Sequence, residues 1–474
     1  MTQQLLQGKT VELFDFQREA VERLHPVRNI LIGDEMGLGK TIEAIAIDLA
    51  RRANFPGYKL KTLVVCPLSM ISTWTRWWFN MAPDLKILPI NNKDRSYFID
   101  EALANTYDVF ICHWPALRLM PELSTVEWYH VIADEAHALQ NRKSKQSIAL
   151  KKINTSYKSA LTGTPAFDKP DDLWSILNWL YPKYWRSYWK YFDEHIISTN
   201  YNGYKTIVGV ANAKKLQKEM EGFYVRRRKQ EVISDLPDKY YTEISVDLDP
   251  KQRRAYESMK KDMMAWIGQH EAEPVVAPIV IAQLTRLQQF ASAFGEYDED
   301  SGKMLLSEPS TKLDAVIDII ESTGEQVVVF SQFAQMIKLL QKRLEAKGIT
   351  YGIFTGSTPA NVRGQIITDF QAGKIQVFAG TIAAGGIGIT LTAASTVIFI
   401  DRSWSPSLNI QAEDRLHRIG QKQAVQVFDI IANNTIDAAR IKHINLKWSW
   451  IKKLIGDELT NEEMQEMGSE AYDD

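Results

Sequence analysis

Short apolar runs alternate with longer amphipathic stretches along most of the chain. In the first third, NILIGDE, TLVVCP, YDVFICH and HVIADE are apolar or β-branched and bounded by turn formers. Such runs read as buried strands. Between them lie segments of helical spacing such as TIEAIAIDLARRA, and this alternation predicts a parallel sheet with helices on both faces. The pattern resumes beyond residue 310 with QVVVFSQ, YGIFTG, QVFAG, TVIFIDR and AVQVFDII. The stretch between differs. From Lys169 to about Gln230 it is helix-like and rich in Trp and Tyr, residues 251–295 are again helical in pattern, and EYDEDSGKMLLSEPS reads as a polar loop. The expected fold is α/β, with two parallel-sheet lobes in tandem and helical insertions between them. The expected boundaries are a first lobe at 1–168, a helical insertion with an arginine-rich segment at 169–235, a helical protrusion and linker at 236–309, a second lobe at 310–455 and an acidic tail at 456–474.

Composition narrows the class. The apolar share of 45% and charged share of 24% suit a globular protein. No apolar run reaches the roughly 18 residues of a membrane span, and the N-terminus lacks the layout of a signal peptide. The only two cysteines, Cys66 and Cys112, fall in strand-like runs and read as reduced core residues. The chain is therefore expected to be intracellular, in the cytoplasm or nucleoid of a bacterial or phage-infected cell. Its net charge of −2 alone argues against a generic nucleic-acid binder. The tail from Gly456 to Asp474, however, holds eight acids and no Lys or Arg, so without it the net charge rises from −2 to +6. A mildly basic body can carry a basic groove. The tail itself reads as a solvated end.

The strongest local signal is GDEMGLGKT, between a strand and a helix candidate, the context a P-loop requires. Gly37 and Gly39 let backbone N–H groups turn towards a phosphate, and the following helix adds its positive dipole end. Lys40 would reach the β- and γ-phosphates of ATP, and the Thr41 hydroxyl would ligate Mg²⁺. The strict pattern has Gly where Asp34 stands. HVIADEAH places Asp134 and Glu135 at the C-terminal end of a buried strand, where open α/β sheets bind ligands. Asp134 suits a hard Mg²⁺ ion, and Glu135 is placed to orient or activate the attacking water. LTGTP adds Thr162 and Thr164 at a further strand end.

In the second half, Gly385, Gly386 and Gly388 form a glycine-rich loop, and QAEDRLHRIGQK follows. Arg415 and Arg418 stand three residues apart, a spacing that puts both on one face if the segment is helical. Their planar, always-ionised forks suit charge on a transferring phosphoryl group. FDFQREAVERL, DEMGLGKT, DEAH, LTGTP, VVVFSQF, AAGGIGITLTAASTVIF and QAEDRLHRIGQ occur in this order. The set resembles the Swi/Snf-type ATPases, the chromatin-remodeller branch of helicase superfamily 2, from about Phe14 to Gln421. The stretch DDLWSILNWLYPKYWRSYW followed by GVANAKKL leans towards the HARP-like annealing-helicase branch. FYVRRRKQEVISDLP looks like the family's arginine-rich brace.

The resemblance implies two RecA-like lobes and a minimal, monomeric motor that uses ATP and Mg²⁺ and moves along double-stranded DNA. By position it implies adenine reading by Gln17, phosphate and Mg²⁺ contacts by Lys40 and Thr41, a Walker B pair at Asp134 and Glu135, arginine fingers at Arg415 and Arg418, and nucleotide contact near Gly388. On the DNA side it implies Thr381 and Trp404, with a departure from the family pattern at Ser405. From the residues alone, Ser69, Thr355, Arg402 and the Arg226–Lys229 run are further DNA-contact candidates, since backbone tracking needs hydroxyl, N–H and cationic donors. Arg226, Arg227 and Arg228 could equally brace acids such as Glu231 and Asp235. Trp174, Trp179, Trp185, Tyr188 and Trp189 read as bundle core ahead of a base-stacking wedge. Two alternatives stay open: a strand-separating DNA or RNA helicase, and an ATP-gated nucleic-acid clamp without turnover.

Overall fold

The computed structural model describes residues 11–90, 94–201, 204–233, 236–269, 276–298, 303–385, 388–460 and 463. The chain divides into two compact units. The first comprises residues 1–197, 208–234 and 449–474, and the second residues 198–207 and 235–448.

In the first unit, α1 (Asp15–Leu24) precedes β1 (Asn29–Ile32), α2 (Lys40–Arg52), β2 (Thr62–Cys66), α3 (Ile71–Met81), β3 (Ile87–Pro89), β4 (Val109–His113), β5 (Trp128–Asp134) and β6 (Thr155–Leu161). Next along the chain comes a hairpin of β7 (Ile196–Tyr201) and β8 (Tyr204–Val210), whose residues 198–207 are grouped with the second unit, and then the short β9 (Tyr224–Val225) of the first. The sheet runs β3-β4-β2-β5-β6-β1-β9, with every pairing parallel. The four strand candidates of this half are all strands, and β1, β2, β4 and β5 are buried nearly throughout. Each fully buried Val, Leu or Ile contributes roughly 1.5–3 kcal/mol, and the side chains of α2 and α3, Trp74 and Trp78 included, complete that core.

α2 is also pinned to the sheet by a buried polar cluster. Asp48 Oδ1 lies 2.7 Å from His130 Nδ1 and accepts from Thr62 Oγ1 at 2.7 Å, while Asp48 Oδ2 accepts from Arg52 Nε at 2.5 Å. His130 Nε2 is 3.0 Å from Arg51 Nη1 and 2.7 Å from Ser159 Oγ. This set is self-consistent when Nδ1 carries the proton and Nε2 accepts, that is, with a neutral imidazole.

The second unit holds β10 (Lys239–Val246), the helix pair α4 (Pro250–Gln269) and α5 (Val276–Ser292), β11 (Phe294–Asp298), β12 (Lys303–Ser307), β13 (Val327–Ser331), β14 (Tyr351–Phe354), β15 (Val377–Thr381), β16 (Thr396–Phe399), α6 (Pro406–Glu413) and β17 (Val425–Ala432). Its sheet runs β10-β17-β16-β13-β15-β14, again all parallel. The helix α7 (Ile436–Ile455) follows.

Two readings need correction. The segment expected to be a polar loop is the antiparallel hairpin β11–β12, with Phe294 opposite Ser307 and Asp298 opposite Lys303; its apolar half, Met304 to Leu306, has a strand to pair with. β10 is a full strand inside a stretch expected to be helical and linker. It pairs with β17 over eight residues, but as an edge strand its residues are only half buried or exposed, so KYYTEISV carries no apolar run. The tryptophan-rich insertion is largely core. Trp174, Trp179 and Trp185 are buried and Trp189 is exposed.

Candidate nucleotide site

Strand register brings the first-unit motifs together. Asp134 pairs with Leu161, Leu161 with Ile32, and Ile32 with Val225. The DEAH segment, LTGTP, the P-loop and the arginine run therefore leave the sheet side by side at the C-terminal ends of four adjacent strands, the edge at which such sheets bind ligands.

The P-loop closes on itself in the way its glycines allow. Gly37 and Gly39 have φ of 89° and 86°, the left-handed region that glycine enters without cost. A Cβ on Gly39 would also lie 2.4 Å from Gln17 Nε2. Lys40 Nζ donates to the carbonyls of Asp34 at 2.7 Å and Glu35 at 3.3 Å. Burial pulls its pKa down, while Glu135, Asp34 and Asp134 pull it up and Arg226 opposes them. Thr41 sits half-buried in the first turn of α2. Gln17 is buried, donating through Nε2 to Leu38 O at 2.9 Å and accepting from Phe14 N at 3.1 Å.

Asp134 is held on three sides. Its Oδ2 accepts from Trp74 Nε1 at 2.8 Å, its Oδ1 from Glu135 N at 3.0 Å, and its carbonyl from Trp114 Nε1 at 2.9 Å. Burial, and then the neighbouring Glu135 charge, push the Asp134 carboxyl up to about 7; an uncompensated carboxylate here is costly, and a cation at the site would relieve it. Glu135 has a left-handed backbone, φ 49°, uncommon for a non-glycine residue and a frequent mark of functional sites. His137 Nδ1 lies 3.2 Å from Glu135 Oε2 and 3.3 Å from Thr162 Oγ1, and its ring stacks on Phe167 at 4.1 Å. The DEAH and LTGTP segments are thus linked through one imidazole. Gly163 faces the lysine: a Cβ there would lie 2.7 Å from Met36 Cγ and 3.3 Å from Lys40 Nζ.

No group of three or more His, Cys, Asp or Glu among the described residues could hold a metal unaided. One carboxylate and one hydroxyl, Asp134 and Thr41, are a donor set that suits Mg²⁺, which keeps water and nucleotide oxygens for most of its shell.

The arginine run lines this wall, so the bracing alternative describes it, with Glu231 among the acids and Asp34, Glu43, Asp457 and Glu458 added. Arg227 Nε donates to Asp34 Oδ1 at 3.1 Å; its Nη2 reaches Glu43 Oε1 at 2.5 Å and also Asp34 Oδ2, and its Nη1 reaches the Phe16 carbonyl. This explains the departure at Asp34: its carboxylate is the counter-ion of Arg227. Burial, with Asp34 next to it, pushes Glu43 up to about 8. Arg228 Nε pairs with Glu231 at 2.7 Å and Nη2 with Glu458 at 3.1 Å; Asp235 lies outside the described residues. Lys229 N donates to Glu35 Oε2 at 2.7 Å. The start of the acidic tail is engaged as well, since Asp457 accepts from Arg226 at 2.9 and 2.7 Å.

In the second unit, the expectation that Arg415 and Arg418 share a helical face does not hold. α6 ends at Glu413, and both arginines lie in the turns beyond it. Beyond Glu413 the chain tightens into turns: Arg415 N donates to Ala412 O at 3.2 Å and Leu416 N to Glu413 O at 3.0 Å, Arg415 O accepts from Leu391 N at 2.9 Å, and Gly420 turns the chain with φ 100°. Arg418 Nη1 donates to Thr390 Oγ1 at 2.9 Å and Ile389 O at 3.2 Å. The arginine turn and the loop after Gly388 are therefore one assembly; Gly386 is outside the described residues. Gly385 is a packing glycine, as a Cβ would lie 2.4 Å from the Phe330 ring.

The DNA-side candidates scatter. Ser69 is exposed after β2, whereas Thr355 and Thr381 are buried at the ends of β14 and β15. Trp404 is half-buried with its ring edge-on to His443 at 6.0 Å. Arg402 is committed internally, pairing with Asp429 at 2.5 and 2.9 Å and with Glu413 at 2.6 Å. Its fork is occupied by two carboxylates, so it is not carried into the DNA-side reading.

Two tandem RecA-like lobes, each an all-parallel sheet, define the class. Within it, residues 16–294 match the SNF2-related domain and residues 311–420 the helicase conserved C-terminal domain. The chain belongs to the SNF2-related family. It is 30% identical over 453 residues to an uncharacterized ATP-dependent helicase of Mycoplasma genitalium, covering 93% of this chain and 42% of that protein. It is 29% identical over 434 residues to the mouse SWI/SNF-related matrix-associated actin-dependent regulator of chromatin subfamily A member 1, covering 88% of this chain and 41% of that protein. Less than half of either relative's length is therefore spanned. Among solved structures, the Sulfolobus solfataricus SWI2/SNF2 ATPase core in complex with dsDNA is 26% identical, with a TM-score of 0.45 and coverage of 95% of this chain and 98% of that one.

Proposed function

We propose that the chain is a DNA-stimulated ATP hydrolase that translocates on double-stranded DNA. The observation that carries the ATPase reading is the convergence of Lys40, Asp134, Glu135 and the P-loop glycines at adjacent strand ends. In this reading Lys40 leaves its two P-loop carbonyls for the phosphates, and Gln17 meets the adenine. Asp134 and Thr41 would hold Mg²⁺, and its charge would offset that of the nucleotide phosphates. Glu135, next to His137, takes the proton of the attacking water. In this reading Arg415 and Arg418 are the arginine fingers that stabilise charge on the transferring phosphoryl group. A finger of this kind contributes roughly 10³–10⁵ in rate. Hydrolysis would release it, and alternating grip on the DNA backbone, through Ser69, Thr355, Thr381 and Trp404, would give directional motion.

Duplex DNA as the track rests on the family resemblance and on a relative named as a chromatin regulator. The Mycoplasma relative's name, ATP-dependent helicase, favours a second reading in which strands are separated. Comparing ATPase stimulation by duplex DNA, single strands and RNA decides between them, with triplex displacement on plain duplex as the translocation readout. The expected result is strongest stimulation by duplex. Lys40→Ala, Glu135→Gln and Arg418→Ala should each nearly abolish turnover; wild-type-like turnover in Arg418→Ala would sink the arginine-finger role, and a strong RNA preference would end the duplex reading.

A further inference from the structure

Asp457 lies outside both family-matched segments, which end at residues 294 and 420, yet its carboxylate is part of the wall just described. Arg226 is the link. Its Nη1 donates to Gly33 O at 2.6 Å and Gly163 O at 2.9 Å, and its Nε and Nη2 donate to the two oxygens of Asp457 at 2.9 and 2.7 Å. Both partners are nearly shut off from solvent, with side-chain exposures of 10% and 6%. Gly33 opens the P-loop and Gly163 faces Lys40. One guanidinium therefore ties together the two backbone segments on either side of the phosphate-binding lysine. Its orientation is fixed by a fork-on-fork pair with Asp457, the geometry in which arginine is most directional.

We propose that Asp457 is a positioning residue for the nucleotide site, acting through Arg226 to set the spacing of the P-loop and LTGTP segments. The proposal rests on the ATPase reading of that site. The alternative, a tail acid that merely adds stability, predicts a different response. A buried guanidinium deprived of its counter-charge does not stay where it is. Glu35 is the carboxylate already drawing on it, and a swing towards Glu35 gives up the span between the two glycine carbonyls. The phosphate cradle then loses its preset width, which weakens nucleotide binding more than it slows a bound nucleotide's turnover. A purely structural loss lowers the folded fraction, and with it apparent kcat, without moving KM.

The test is steady-state ATPase of the full chain, with melting temperature measured alongside. Asp457→Asn keeps the shape and removes the charge; it is expected to raise the KM for ATP about tenfold and change kcat less than threefold. Asp457→Glu restores the charge and should bring KM back to within threefold of wild type. Arg226→Lys keeps the charge balanced but spans only one carbonyl, so it should raise KM alone, and adding Asp457→Asn to it should raise KM by less than a further twofold. A wild-type KM in Asp457→Asn, whatever its melting temperature, overturns the proposal; if that variant does not fold, a wild-type KM in Arg226→Lys does so. Lys40-dependent turnover in the wild type keeps the ATPase reading independent of this outcome. Its absence removes both.

Discussion

Arg227 is the cation on which the sequence's one departure from the strict P-loop pattern depends, and removing it gives a prediction with a bounded size. Asp34 and Glu43 are fully buried and Arg227 is 13% exposed. Glu43, pushed to about 8, is largely protonated at neutral pH, so the charge left behind in Arg227→Met is that of Asp34. Stranding a buried charge by removing its partner costs roughly 3–5 kcal/mol. Adding Asp34→Asn removes the stranded charge and should recover about 2–3 kcal/mol, so the double variant is more stable than the single. Urea unfolding followed by tryptophan fluorescence is the assay, because ten of the thirteen tryptophans lie in the first unit. The first transition is the one to read, since the two units need not unfold together. A loss below about 1 kcal/mol in Arg227→Met, or no recovery in the double variant, refutes the reasoning.

Three further outcomes follow from the same geometry. Trp74→Phe removes the Nε1 donor to Asp134; with the metal partner mis-set, the Mg²⁺ concentration for half-maximal ATPase should rise about 10-fold or more, and an unchanged Mg²⁺ titration would contradict Asp134 as the ligand. Gly163→Ala forces a methyl against Met36 and Lys40 Nζ, so turnover should fall at least tenfold while the melting temperature moves little; normal turnover would mean the site opens there freely. For pH, burial and the Arg51 charge hold His130 down at about 4. A lowered histidine binds fewer protons folded than unfolded, so its contribution is full above about 6.5 and is lost as pH falls towards 4, by about 1.4 kcal/mol per unit. The wild type should therefore lose more stability than His130→Gln between pH 6.5 and 4.5. Equal losses would place a charged imidazole in the native state.

What could be read from the sequence depended on whether a residue's role was local. The P-loop glycines, Lys40 and the Asp134–Glu135 pair announce themselves because strand, turn and helix follow within a few residues. The buried strands of both sheets are apolar runs for the same reason. β10 escapes the pattern because an edge strand needs no apolar run, and the turn holding Arg415 and Arg418 because the N–H that meets its Arg415 carbonyl is that of Leu391, more than twenty residues upstream. Trp74 looks like any other tryptophan of STWTRWW until Asp134 is seen beneath its N–H. Arg226 and Asp457 stand 231 residues apart, and no periodicity reports a pair of that kind.

The two cysteines have a practical consequence. Cys66 closes β2 and Cys112 lies in β4, where it pairs with Val65; both are fully buried. Burial pushes the Cys112 thiol up to about 12 and the Cys66 thiol higher still, so neither reacts from the closed sheet. The second unit contains no cysteine. Thiol-labelling kinetics on the unmodified chain thus clock the opening of the nucleotide-bearing sheet alone, and any protection conferred by a nucleotide would be read without introducing a label or a mutation.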